Sequence, residues 1–175
     1  MTAPSSDLKA TAYNTLVRPI VEYASSVWDP ASKNLIHKVE MVQKRAARFT
    51  LNRYHNTSSV SSMLKELDWT TLQERRENDR LTMMYKKHKN LAHLLAQDNT
   101  QITQSTRATQ PHSYQMPYSR TESHRHSFFQ RTVRNWNSLP SEIVAAPSVG
   151  AFRNRLQTVI VTVASHPVHA ACKYL

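Results

Sequence analysis

The chain has 175 residues, 39% of them apolar, and a length that buries one modest core, which excludes a multidomain enzyme. Its single Gly, against an average usage of about 7%, removes the Gly-rich loops that cradle phosphates and favours helices, and its lone Cys172 excludes an internal disulfide framework or a zinc knuckle. A formal charge of +11 predicts attraction to polyanions, nucleic acid foremost.

Residues 13–28 carry Leu16, Val17, Ile20, Val21, Ala24, Val27 and Trp28 at helical spacing over a wide arc, predicting a helix packed on several neighbours. Pro19 removes a backbone hydrogen bond, so a kink or restart is expected near Arg18, with Arg18 and Glu22 paired on the polar side. Ser32 then caps a helix to about residue 50. In it Leu35, Val39, Val42, Ala46 and Phe49 form one stripe, expected to pack, while Lys33, Lys38, Lys44, Arg45 and Arg48 form a cationic flank.

A polar loop over 52–59 leads to a short helix from Val60 to Leu67. Thr70 and Gln73 have capping-box spacing and open a longer helix to about residue 95. There Leu81, Met84, Tyr85, His88 and Leu95 share one face and Arg76, Arg80, Met83 and Lys87 another. Residues 97–123 lack periodicity and read as a flexible connection. Phe129, Val133 and Trp136 then line a short helix backed by Arg131 and Arg134 and ended by Pro140. Ser148 caps a last helix with Val149, Phe152, Leu156 and Val159 inward; the β-branched run 158–163 suits a strand as well as a helix.

Polymerisation needs paired metal-binding carboxylates, and Asp7, Asp29, Asp68, Asp79 and Asp98 stand alone in different elements. There is no Gly-x-Ser-x-Gly elbow for a hydrolase. His166, His169 and Cys172 are metal-compatible in spacing but lie in a terminal stretch without other signals, so no metal and no cofactor is assigned. His124 and His126 read as solvated loop residues, and His88 as a hydrogen-bonded core imidazole.

The basic faces carry the sharper expectation. Residues 1–100 hold 15 Lys and Arg against 10 Asp and Glu, and residues 101–175 hold 8 against 2. Such helices bind phosphates without reading sequence. Aromatics interleave with Arg after residue 107; Phe129 and Trp136 fit a packing stripe, whereas Tyr114 and Tyr118 remain open as stacking platforms.

Two segments carry a resemblance: AYNTLVRPIVEYASSVWDP (12–30) with HKVEMVQKRAARF (37–49), and SFFQRTVRNWNSLP (127–140). With Ser59-Val60, Met63-Leu64, Leu67-x-Trp69-x-x-Leu72-x-x-Arg75-Arg76, Arg80-Leu81, Tyr85-Lys86, Phe152 and Leu156 in order, the chain resembles the thumb and carboxy-terminal segment of non-LTR (LINE-type) retrotransposon reverse transcriptases. The resemblance implies a helical thumb over residues 8 to about 95 and part of the carboxy-terminal segment over 123–157; together with the reading of the residues, the expectation is an all-α, thumb-like helical bundle over 1–96, a flexible basic linker over 97–122, a small helical module over 123–162 and a disordered tail over 163–175. It implies a fragment without enzymatic activity of its own that binds RNA or an RNA/DNA hybrid. On the matching positions the phosphate contacts would be Lys44, Arg45, Arg48, Arg75, Arg76, Arg131 and Arg134, and the basic helix faces add Lys38 and Arg80.

The endonuclease, fingers, catalytic palm and cysteine-histidine knuckle of the family are absent from the sequence, Gln130 stands where Pro is frequent, and Leu91 where Gly follows Asn90. A truncated element or a remnant retained by a host is therefore expected. The alternative is an interaction module in which Leu16, Val21, Val27 and Trp28, uncovered by the missing palm, dock that palm or another protein. No run reaches the roughly 18 apolar residues of a membrane span, and residues 1–7 lack a secretory signal, so a nuclear or cytoplasmic location without membrane contact is expected.

Overall fold

A computed structural model describes residues 4–55, 58–91, 112–116 and 118–164, with side chains through residue 158. Among them the fold is all-α, as expected. Tertiary contacts divide the chain into two compact units that meet between Asp79 and Arg80. The boundary thus falls inside a helix rather than near residue 96.

In the first unit α1 (Ser6–Ala12) starts on Ser5, whose hydroxyl accepts from the Leu8 amide. It passes through a π-helical stretch, Tyr13–Val17, into α2 (Arg18–Glu22). Pro19 sits in the first turn of α2, where its missing N–H costs nothing, which is the restart expected near Arg18. Ala24 then adopts a left-handed backbone, φ 49°, and turns the chain into α3 (Ser25–Trp28). The expected packing of this region is overturned: Leu16, Val17, Ile20 and Trp28 are exposed and Val27 is 86% exposed. What anchors it instead is polar and aromatic, since Tyr13 stacks on Trp69 at 4.5 Å and Glu22, which also pairs with Arg18 at 4.0 Å as expected, accepts from Arg75 Nη2 at 3.0 Å.

The next helix, α4 (Lys33–Leu51), begins after Ser32 and ends at Asn52, whose φ of 54° and whose successor's amide, donating to the Arg48 carbonyl, close the last turn. Its buried residues are Gln43, Ala47 and Thr50, not the expected stripe. The inward face is therefore rotated by about 100°, one residue's worth of helical turn. The cause is α6 (Leu72–His88): its first amides are satisfied by α4 side chains. Gln43 accepts from the Leu72 amide at 3.2 Å and donates to the Thr70 carbonyl at 2.8 Å, and Glu40 accepts from the Gln73 amide at 2.6 Å. Polar groups at a helix start outbid apolar ones for the inner position because orphan amides cannot be buried unpaired.

The helix α5 (Val60–Glu66) supplies Met63 and Leu64, which form a small core with Ala47, flanked by Leu51, Val60, Leu67 and Trp69. Its end uses Asp68 at φ 53°. The capping box that opens α6 is Thr71 with Glu74, reciprocal at 3.2 Å, one residue later than Thr70 with Gln73. The helix stops at His88, before the expected residue 95, because Asn90 turns left-handed and the Leu91 amide closes back on the Lys86 carbonyl.

The second unit packs the carboxy-terminal half of α6 with α7 (Glu122–Arg125), α8 (Phe128–Asn137), α9 (Ser141–Val144) and α10 (Val149–Ala164). Leu81, Met84, Tyr85, Val133, Trp136, Leu139, Ile143, Val144, Phe152 and Leu156 make one core. Tyr85 stacks on Phe152 at 4.4 Å and donates its hydroxyl to the Ala146 carbonyl. Pro140 ends the α8 turn and caps α9, and Ser148 accepts from the Ala151 amide at 3.1 Å to start α10. Residues 158–163 are helical.

Part of the expected linker is core. His112 and Ser113 are buried and Tyr114 packs on the cluster. The Trp136 indole donates to the His112 carbonyl, and Tyr114 and Asn137 exchange two hydrogen bonds at 2.9 and 2.8 Å. Residues 97–111 and the tail from 165 lie outside the described residues.

Candidate nucleic-acid interface

The nine cations singled out in the sequence separate into three groups. On α4, Lys38 and Arg45 are exposed and Lys44 and Arg48 half-buried. At about 100° per residue these four share one continuous arc of the helix with Lys33. None of the four forms an ion pair among the described residues, and the Arg48 Nε is enclosed without a hydrogen-bond partner there.

The second group is committed to the fold of the first unit. Arg75 makes a two-pronged ion pair with Glu22, its Nη2 at 3.0 Å, and that hydrogen bonding raises its pKa further above the usual arginine value. Arg76 is 1% exposed. Its Nε donates to Asp29 Oδ1 at 2.9 Å, its Nη2 lies 3.6 Å from Glu40, and its guanidinium stands 5.8 Å from the centre of the Trp28 ring. Burial lowers its pKa, with Glu40 and Glu22 opposing. Arg76 is too deeply buried to present its charge to a phosphate and is withdrawn from the expected contacts, whereas Arg75 keeps about a third of its side chain exposed with its fork on Glu22.

The third group belongs to the second unit. Arg80 is buried, and burial, followed by the positive charge of Arg131, brings its pKa down to about 10. It too is withdrawn as a surface contact. Arg131 is half-buried and Arg134 exposed on α8. The expected basic backing of α6 is absent in a further respect: the Lys87 ammonium lies 4.7 Å from the centre of the Phe129 ring and is pushed down in pKa by burial.

A signal for these buried arginines is present in the sequence. Leu72, Arg76, Arg80 and Met84 recur every four residues and all four are buried, so the arginines lie in the apolar row and not behind it. Sequence reasoning also missed Lys9, a buried residue whose ammonium donates to Asn52 Oδ1 at 2.7 Å and to the Phe49 carbonyl at 3.3 Å, at the negative end of the α4 dipole. It missed Glu22, Asp29 and Glu40 as counter-charges for α6. A carboxylate's partner across elements leaves no local spacing to read.

In the second unit His88 is half-buried, as expected of a core imidazole, with Nδ1 2.8 Å from the Tyr114 hydroxyl. Burial, then the charges of Lys89 and His112, lower its pKa. Tyr114 serves packing, and Tyr118 is exposed. No cluster of metal-ligating side chains occurs among the described residues, and His166, His169 and Cys172 lie outside them. No helix of the described residues is long and apolar enough to cross a membrane.

Comparison of the chain with protein-family models, with curated proteins and with solved structures finds no match.

Proposed function

We propose that the chain is a fragment of a LINE-type reverse transcriptase, its thumb and carboxy-terminal segment. It binds RNA or an RNA/DNA hybrid through α4 and does not itself polymerise. The observation that carries this reading is the α4 arc: Lys38, Lys44, Arg45 and Arg48 stand together with no carboxylate partner among the described residues. Arginines that the fold uses elsewhere, Arg75 and Arg76, are each met by Glu22, Asp29 or Glu40. Cations left unmatched on one helical arc gain most from an external polyanion, and contact through the phosphate backbone makes the binding indifferent to sequence.

Fluorescence anisotropy with a labelled RNA strand and the matching RNA/DNA hybrid tests it. Affinity falls with added salt, and the double variant Lys44→Glu, Arg48→Glu loses it. Salt-insensitive binding, or binding unchanged in that variant, rejects the reading.

A second reading is favoured by one observation: Leu16, Ile20 and Val27, on the π-helical stretch, α2 and α3 in turn, are all exposed. There the first unit docks a protein by this apolar surface. Charge reversal at Arg45 and Arg48 leaves such docking intact.

A further inference from the structure

The apolar row of α4 that the fold leaves outside has a regular spacing. Leu35, Val39, Val42, Ala46 and Phe49 advance by four, three, four and three residues, the alternation that keeps a row facing one partner helix over successive turns. None of the five belongs to the Ala47, Met63 and Leu64 cluster or to the side chains packed on it. Leu35 is 50% and Phe49 51% exposed, the three between are half-buried, and the Lys9 ammonium of α1 stands 4.8 Å from the centre of the Phe49 ring at the end of the row.

In heptad lettering the row reads d, a, d, a, d. Lys38 and Arg45 then fall at g, and Ile36, Gln43 and Thr50 at e. The two edges differ in what they offer. The e edge is turned into the unit, with Gln43 and Thr50 buried and Gln43 bonded to the start of α6. The g edge is open, since Lys38 and Arg45 are exposed and neither has an ion pair among the described residues.

We propose that this row is the docking seam for an amphipathic helix of another protein whose apolar stripe is bordered by Asp and Glu. The charges select this occupant. In an antiparallel pair g edges face each other, so a second copy of the chain would set Lys38 and Arg45 against their own counterparts. In a parallel pair g faces e, and a second copy has its e edge buried. An acidic flank on the incoming helix meets Lys38 and Arg45 in either direction, while its apolar stripe covers Leu35 to Phe49 over about 21 Å. A nucleic acid neutralises the same two cations but brings no apolar ridge for Val42 and Ala46. The proposal shares Lys38 and Arg45 with the nucleic-acid reading and differs from it in the apolar row, so a change within the row, at Val42, separates the two.

The full chain is titrated with three labelled probes: a synthetic helical peptide with Leu at a and d and Glu at e and g, the same peptide with Lys for Glu, and an oligouridine strand. The wild-type chain binds the Glu peptide at least about tenfold more tightly than the Lys peptide. Val42→Asp loses the Glu peptide and keeps its oligouridine affinity. The double variant Lys38→Glu, Arg45→Glu reverses the preference to the Lys peptide, a gain that a misfolded protein cannot imitate. Failure of the wild-type chain to bind the Glu peptide, equal binding of both peptides, or retention of binding in Val42→Asp overturns the proposal. So does equal loss of oligouridine in Val42→Asp, which assigns the row to nucleic acid, or a sedimenting dimer that Val42→Asp dissolves, which assigns it to a second copy.

Discussion

Arg76 shows how the surface charge of this chain differs from its sequence charge. Buried within reach of Asp29 and Glu40, it ties the segment after α3 and helix α4 to α6. A buried pair is a weak source of net stability but costly to break, because the remaining charges stay in a poor solvent. Arg76→Ala is therefore predicted to lower the unfolding free energy by about 3–5 kcal/mol in urea titration. Arg76→Met combined with Asp29→Asn, which removes charge from both sides, is predicted to cost less than the single change. His88 behaves differently, since its depressed pKa favours the neutral ring in the fold. Its contribution is full above the unfolded value of about 6.5 and is lost as pH falls through the lower folded value. The difference in Tm between the wild-type chain and His88→Gln is predicted to shrink between about pH 7.5 and about pH 5, a window that brackets the unfolded value. Equal differences at both ends would show that the Tyr114 contact alone matters.

Among the helices, the ends follow the scarcity of glycine. Four non-glycine residues, Ala24, Asn52, Asp68 and Asn90, hold left-handed backbones among the described residues. Asn and Asp tolerate that region through their short polar side chains, and Ala does not. Ala24→Gly is predicted to raise stability by about 1 kcal/mol, read as a shift in the urea midpoint without a change in slope. At the other end of an element, Thr71→Ala removes the hydroxyl that accepts from the Glu74 amide and is predicted to cost about 1 kcal/mol, whereas Thr70→Ala costs much less. The position of that cap is legible in the sequence. Both threonines precede the apolar run, but only Thr71 has a Glu three positions on. The rotation of α4 has no such local signal, since Gln43 and Glu40 turn inward for amides of α6, about thirty residues away in sequence.

Across the whole chain, two compact units share the long helix α6, and the charge is disposed within each of them separately. If Lys38, Lys44, Arg45 and Arg48 each neutralise one phosphate of a single strand, the logarithm of the binding constant is predicted to fall against the logarithm of salt with a slope of about −3. Removing Arg134 then leaves that slope unchanged, and a slope near −1 excludes the four-cation grip. The helices α4, α5, α6, α8 and α10, the restart at Pro19 and the Val133, Trp136, Phe152 and Leu156 core were legible in the sequence. Periodicity, proline and caps act within a few residues of themselves. The short α9, the docking of His112 and Tyr114 onto Trp136, and the pairing of Arg76 with Asp29 and Glu40 were decided by tertiary structure. The last two depend on a polar group finding a partner far along the chain. Sequence spacing establishes which cations share a helix face, but only the folded chain establishes which of them have already been neutralised by carboxylates, because desolvation and pairing are properties of surroundings and not of spacing.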